Sequence, residues 1–102
     1  MTVSVMIKRT LTNQDQVRNL APLIVKLRSL ATTQPGYITG RTFRRLDDPS
    51  EFLVMSTWNS LDEWNRCLKS DQRMELQKQV DALLGKETTY RVYESLAGGI
   101  IP

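Results

Sequence analysis

Histidine is absent from all 102 residues, which removes the commonest neutral-pH general base and the commonest metal ligand together. Any chemistry must come from other side chains. Lys8 can act as a base if burial depresses its pKa, or it can carry its ammonium out to water on an apolar stem. Arg9 and Arg41 can hold an anionic oxygen, or take part in cross-strand ion pairs. Tyr37 and Tyr90 can orient a ligand through their hydroxyls or fill the sheet surface. Asn59 and Asn65 carry amides able to donate to substrate oxygens, although one adjoins a helix cap and the other lies on a helix surface. Gln77 sits about 100° around its helix from Leu76, on a flank from which an amide reaches either a cavity mouth or solvent. Cys67 lies close to Arg66 and Lys69, whose charges would lower a thiol pKa. With no histidine to activate it, Cys67 is expected to pack as a small hydrophobe. No triad and no metal motif emerges from these spacings, so no metal is expected.

The composition narrows the class. Residues 1–102 are expected to form one domain, and 40% hydrophobic with 25% charged residues is ordinary for a globular protein. No segment approaches the roughly 20 consecutive apolar residues of a membrane span. The first residues, Met1-Thr2-Val3-Ser4-Val5, lack the basic and apolar regions of a secretory signal. The lone Cys67 cannot form an internal disulfide, and a cytoplasmic location is expected. The 14 basic residues are interspersed with 11 acidic ones, so the excess charge of +3 reads as a mixed, solvated surface.

The elements follow from periodicity and punctuation. Val3, Val5 and Ile7 alternate with Ser4, Met6 and Lys8, which predicts a strand from about Val3 to Leu11. Asn13 offers an N-cap with Gln16 at the reciprocal position, and Val17, Leu20, Ile24, Leu27 and Ala31 form the stripe of a long amphipathic helix. Pro22 inside it predicts a kink or a late start. Pro35-Gly36 ends the helix. Strands are expected from Tyr37 to about Leu46 and from Glu51 to Trp58, joined by the turn Asp47-Asp48-Pro49-Ser50. Ser60 with Glu63 makes a capping box, the carboxylate reaching back to the Ser60 N–H. Ser70-Asp71 recaps a second helical piece carrying Leu76, Val80, Leu83 and Leu84, and Gly85 closes it. A last strand covers Thr88 to Tyr93. Residues 95–102 are expected to be an irregular tail whose Ile100 and Ile101 pack on a neighbour.

The order is β-α-β-β-α-β, a ferredoxin-like split βαβ fold of class α+β, with a four-stranded antiparallel sheet and helices on one face. Both faces carry apolar side chains: Phe52, Val54 and Trp58 on one, Leu53 and Met55 on the other. The face without helices predicts a homodimer packed sheet to sheet. The RNA-recognition module shares this order, but its third strand needs a glycine and paired aromatics that stack bases, and Glu51-Phe52-Leu53-Val54-Met55-Ser56 lacks them. No nucleic-acid or membrane partner is expected.

Within this topology, Gln34-Pro35-Gly36-Tyr37-Ile38, the strand end Ser56-Thr57-Trp58 and the helix start Ser60-Leu61-Asp62-Glu63-Trp64 resemble the antibiotic biosynthesis monooxygenase domain family. The resemblance spans about Val3 to Glu94 and implies a dimeric α+β barrel with a pocket between sheet and helices. The family includes cofactor-independent oxygenases of polycyclic aromatic substrates, haem-degrading enzymes and signal-related proteins, so fold alone does not choose among them. The haem-degrading branch pairs a strand asparagine, a strand-end tryptophan and a helical histidine. Here Trp58 matches the tryptophan, but Lys8 and Gln77 occupy the other two places, and a glutamine amide is a poor iron ligand. Cys67 also stands where relatives carry a second tryptophan. The resemblance thus implies a monooxygenase without a cofactor, acting on a small aromatic or quinone-like molecule. A non-catalytic dimeric binder of such molecules is the alternative. The candidate catalytic residues are Trp58, Lys8 and Gln77; the candidate substrate-binding residues are Trp58, Arg9, Tyr37 and Asn59. Trp58 either lines the pocket or anchors the strand-to-helix corner, and Trp64, in stripe with Leu61 and Leu68, is expected in the core.

Overall fold

The computed structural model describes residues 1–96, and the expected tail beyond them, with Ile100 and Ile101, lies outside the described residues. The elements are β1 (Val3–Thr10), α1 (Gln14–Thr32), β2 (Tyr37–Arg44), β3 (Glu51–Trp58), α2 (Leu61–Leu68), α3 (Asp71–Leu84) and β4 (Tyr90–Glu94). The strands form one antiparallel sheet in the order β2-β3-β1-β4. This is the expected ferredoxin-like α+β arrangement, with the second helical region divided into α2 and α3 at Ser70.

Pairing of β1 with β3 sets Val3 opposite Trp58, Val5 opposite Ser56, Ile7 opposite Val54 and Arg9 opposite Phe52. These residues share the helix-side face, because alternate residues of a strand point the same way. Val3, Val5, Ile7 and Trp58 are buried there with Trp64 and Cys67 from α2. A second cluster joins Leu20 and Leu27 of α1 to Val80 of α3. The core therefore runs from the sheet under α2 to a contact between the two longer helices.

Local chemistry fixes each boundary. Asn13 accepts from the Gln16 backbone N–H at 2.9 Å, while the Gln16 side chain turns back to Thr12, accepting from its N–H at 2.8 Å. Helix α1 runs without interruption through Pro22, so the late start does not occur. Pro22 is exposed, where the carbonyl it leaves unpaired can be solvated, and burial of Leu20 and Leu27 on either side of it holds the helix together. Gly85 closes α3 in the left-handed region at φ 70°, a conformation that favours glycine.

The corner between β2, β3 and α2 is cross-tied. The Asn59 N–H donates to the Gly36 carbonyl at 2.7 Å. Ser60 Oγ accepts from the Glu63 N–H at 3.2 Å, and its hydroxyl donates to Glu63 Oε1 at 3.0 Å, so the carboxylate takes the hydroxyl rather than the Ser60 N–H. Gly36 has φ 88°, and the Glu63 side chain fills the space a Cβ there would need. The loop before β2 is thereby pinned to the first turn of α2, which sets Tyr37 and Trp58 edge to face.

On the opposite face lie Met6 and Met55, paired across β1 and β3, with Leu53, Phe43 and Tyr93 exposed around them. Lys8, Arg41 and Arg91 edge this apolar group.

Candidate active site

The helix-side face of the sheet and α1 enclose a cavity of about 80 Å³. Its floor is Ile7, Val54, Ser56 and Trp58 from β1 and β3; Ile24 and Leu27 of α1 form the roof. Tyr37 closes one side, and Arg9, Trp64 and Arg73 close another. A second hollow of about 260 Å³ shares Arg9, Ile24, Thr42 and Val54 with it and opens toward Leu20, Ala21 and Phe52. The two spaces flank one wall and together follow the groove between α1 and the sheet.

Four aromatic rings form a chain of contacts, three of them lining the cavity. Trp58, 1% exposed, meets Tyr37 edge to face at 5.5 Å and Trp64 at 5.4 Å. Trp64 in turn meets Tyr90 at 5.5 Å. Such pairs add about 0.5–1.5 kcal/mol each beyond the area they bury. The Trp58 indole N–H donates to Ser56 Oγ at 3.0 Å, fixing the ring in the cavity wall. Gly40 gives the Tyr37 ring its place, since a Cβ at residue 40 would stand 2.7 Å from the Tyr37 hydroxyl.

Two arginines are buried in this wall. Arg9 and Arg73 are each 5% exposed, and burying a guanidinium is costly unless it is paired. Arg9 Nη1 donates to Thr88 Oγ1 at 3.2 Å. Arg73 Nη2 lies 3.4 Å from the Tyr90 hydroxyl, and its guanidinium sits over the Trp64 and Tyr90 rings at 5.2 and 5.7 Å, a cation–π arrangement. Burial lowers the pKa of Arg9, nearby Arg73 adds to that effect, and Tyr90 and Asp81 oppose it.

The sequence-predicted residues divide sharply. Trp58, Arg9 and Tyr37 line the cavity. Lys8 lies on the other face of the sheet, its ammonium 3.3 Å from Glu51 Oε1 and its side chain 65% exposed. Asn59 is exposed at the turn into α2 and does not line the cavity. Gln77 sits behind the site: its Nε2 donates to Asp81 Oδ1 at 2.8 Å and Thr88 Oγ1 at 2.6 Å, and its Oε1 accepts from the Tyr90 hydroxyl at 2.9 Å. Gln77 does not line this cavity, and its amide is engaged with Asp81, Thr88 and Tyr90. Arg41 also borders the cavity, but it is an exposed residue whose guanidinium stacks on Phe43, 5.4 Å from the ring centroid.

Arg73 is the residue that sequence reasoning missed. Its signal was its place three residues before Leu76 and seven before Val80, on the apolar stripe of α3.

Cys67 is buried, and desolvation raises its thiol pKa, with Arg73 acting in the opposite direction. The flanking charges of Arg66 and Lys69 therefore do not activate it. Iodoacetamide at about pH 8 is expected to leave native Cys67 unmodified and to alkylate it once the chain is unfolded in urea, since the thiolate is the reacting form. Mass spectrometry reads both arms, and rapid native modification would contradict this burial. Because the folded pKa is the raised one, this thiol's contribution to stability is present below about pH 8.5 and declines as pH rises through the folded value.

Comparisons place this geometry among known proteins. A conserved protein from Methanosarcina mazei Go1 superposes with a TM-score of 0.82 at 19% identity, with 94% of each chain covered. SnoaB, a cofactor-independent oxygenase from Streptomyces nogalater, gives 0.78 at 14% identity over 93% of each chain. The Rv0793 protein of Mycobacterium tuberculosis gives 0.80 at 16% identity, covering 98% of this chain and 100% of its own. At such identities the likeness establishes the fold alone. No curated protein is similar enough in sequence to match. The family model for antibiotic biosynthesis monooxygenase, however, matches residues 2–79, and on that ground the chain belongs to the antibiotic biosynthesis monooxygenase family.

Proposed function

We propose that this protein is a cytoplasmic, homodimeric, cofactor-independent monooxygenase that acts on a small aromatic or quinone-like substrate in the cavity beside Trp58. The observation that carries this reading is the cavity itself: its walls are mainly aromatic and aliphatic, with Arg9 and Arg73 on one side and Arg28 and Arg41 also in the lining. Family members are commonly dimeric, and one structural neighbour is described as a cofactor-independent oxygenase.

The reaction needs little from the protein. An activated CH₂ flanked by aromatic rings loses a proton to give an enolate, which passes electrons to dioxygen. One oxygen atom enters at the carbon and becomes a carbonyl; the other leaves as water. The CH₂-to-carbonyl change supplies all four electrons that dioxygen takes up. A buried cation facing the enolate oxygen lowers the cost of the first step, because a fixed charge acts strongly in a dry site. Among the described residues no carboxylate or lysine lines the cavity, so the proton passes to solvent at the cavity mouth and the substrate must be acidic enough to ionise beside a guanidinium.

Size constrains the substrate. An apolar cavity of about 150 Å³ takes benzene, and the inner cavity is about 80 Å³. A ring system must therefore extend into the adjoining hollow of about 260 Å³ under α1.

Aerobic incubation with an anthrone or another electron-rich polycyclic phenol should consume oxygen. Trp58→Phe should slow uptake by about ten- to a hundredfold, the scale of a small misplacement in a preorganised site. Turnover unchanged in that variant would remove Trp58 from the mechanism. The lack of a lining base favours one second reading, passive binding without turnover. Ligand-dependent thermal stabilisation with no oxygen uptake would identify it.

A further inference from the structure

We infer that Arg9 and Arg73 together form an oxyanion-binding site at the inner end of the cavity, so that the ligand is an aromatic molecule bearing a carboxylate or an ionised phenol. This rests on the reading of the cavity as a ligand site and adds the chemistry that site selects.

Each arginine residue is about nineteen-twentieths buried, each lines the cavity, and the Nε–H of each has no acceptor. Buried donors are almost always satisfied, so two unpartnered Nε–H groups from different elements in one wall need an explanation. Among the described residues no carboxylate lies within ion-pair distance of either. Asp81, the acidic residue nearest in the network, has Oδ1 committed to Gln77, to the Thr88 N–H and to the Thr88 hydroxyl.

The remaining polar groups hold the two cations in place without neutralising them. Arg9 is tethered through Thr88 and Arg73 through Tyr90, and Gln77 joins both tethers. Two positive charges thus face one carboxylate at a distance, which leaves net positive charge in a low-dielectric wall. An oxyanion that reaches the two guanidinium groups would find them held by these tethers, with the Nε–H of each still without an acceptor.

Volume points the same way. A space of about 80 Å³ is smaller than the one that accepts benzene, yet it is ample for a carboxylate or a phenolic oxygen. Arg9 also lines the larger apolar hollow, so a ligand whose rings rest there can place its charged group between the arginines.

The test compares 2-naphthoate with its neutral isostere 2-naphthamide by calorimetry and thermal shift on the intact protein at neutral pH. Naphthoate should bind at least about ten times more tightly, the scale of a charge-assisted hydrogen bond retained in a dry site. Arg73→Gln should reduce that preference to near unity, and Arg9→Lys should weaken naphthoate more than naphthamide. The wild-type comparison stands even if a variant fails to fold. 2-Naphthol, run alongside across pH, separates the two ligand forms: affinity rising as the phenol ionises identifies a phenolate site, and tight naphthoate binding alone identifies a carboxylate site. Equal affinity for naphthoate and naphthamide, with naphthol affinity flat across pH, would overturn the oxyanion site and leave the cavity reading intact. Binding of neither would overturn both.

Discussion

Trp58→Ala is expected to destabilise the fold by about 3–5 kcal/mol, the range for removing a large buried aromatic side chain. Trp58 is 1% exposed and touches rings on both sides, Tyr37 at 5.5 Å and Trp64 at 5.4 Å. Alanine would therefore remove packing area, two aromatic contacts and the donor to Ser56 Oγ at once. Against a total stability of about 5–15 kcal/mol for a domain, such a loss leaves the chain near its unfolding threshold. Urea denaturation followed by circular dichroism measures the change directly. Trp58→Phe keeps a ring between its neighbours and gives up the indole N–H, so it should cost about 1–3 kcal/mol. That difference is why the phenylalanine variant suits kinetic work and the alanine variant suits stability work. A loss under about 1 kcal/mol for alanine would mean that the corner is held by the backbone ties at Gly36 and Ser60, with Trp58 contributing little.

Met55→Asp is expected to convert the proposed homodimer into a monomer at micromolar concentration. Met55 and Met6 pair at the centre of the sheet face that carries no helix, and Leu53, Phe43 and Tyr93 extend the apolar surface to water. Exposed apolar groups contiguous on one face mark an interaction surface, and a second copy related by a twofold axis brings the same patch to each side. A carboxylate there would be buried without a partner, which weakens association by at least about a hundredfold. Met55 is half-buried in the single chain, so folding itself should be little affected. Sedimentation velocity on both proteins decides the point. A wild-type monomer at the same concentration would remove the sheet-to-sheet dimer, and a dimeric Met55→Asp would move the interface elsewhere.

Much of the architecture was legible because local and global signals agree. The alternation of Val3, Val5 and Ile7 placed β1, and Ser60 and Ser70 marked the starts of α2 and α3 through their short polar side chains. Pro22 misled in part, because the late start it suggests loses to burial of Leu20 and Leu27 on α1. The site was less legible. Trp58, Arg9 and Tyr37 were identifiable from residue type and strand position, and all three line the cavity. Lys8 was drawn in by its chemistry, yet strand parity puts it on the opposite face from Ile7 and Arg9. Arg73 is the converse case: it falls on the apolar stripe of α3, but arginine is rarely buried, so a charged residue there reads as a boundary. Its role depends on Tyr90 and Trp64, which come from other elements and meet it only in the folded chain. Cavity volume is likewise a sum of non-local contacts, and no spacing rule supplies it.

The most direct measurement is an oxygen-isotope experiment on protein treated with a chelator and supplied with an anthrone under ¹⁸O₂. The account predicts that one labelled oxygen atom appears in the product carbonyl, that one dioxygen is consumed for each substrate, and that Trp58→Phe slows both together. Product oxygen drawn from unlabelled water, or no dioxygen consumed by a protein that demonstrably binds the anthrone, would contradict it.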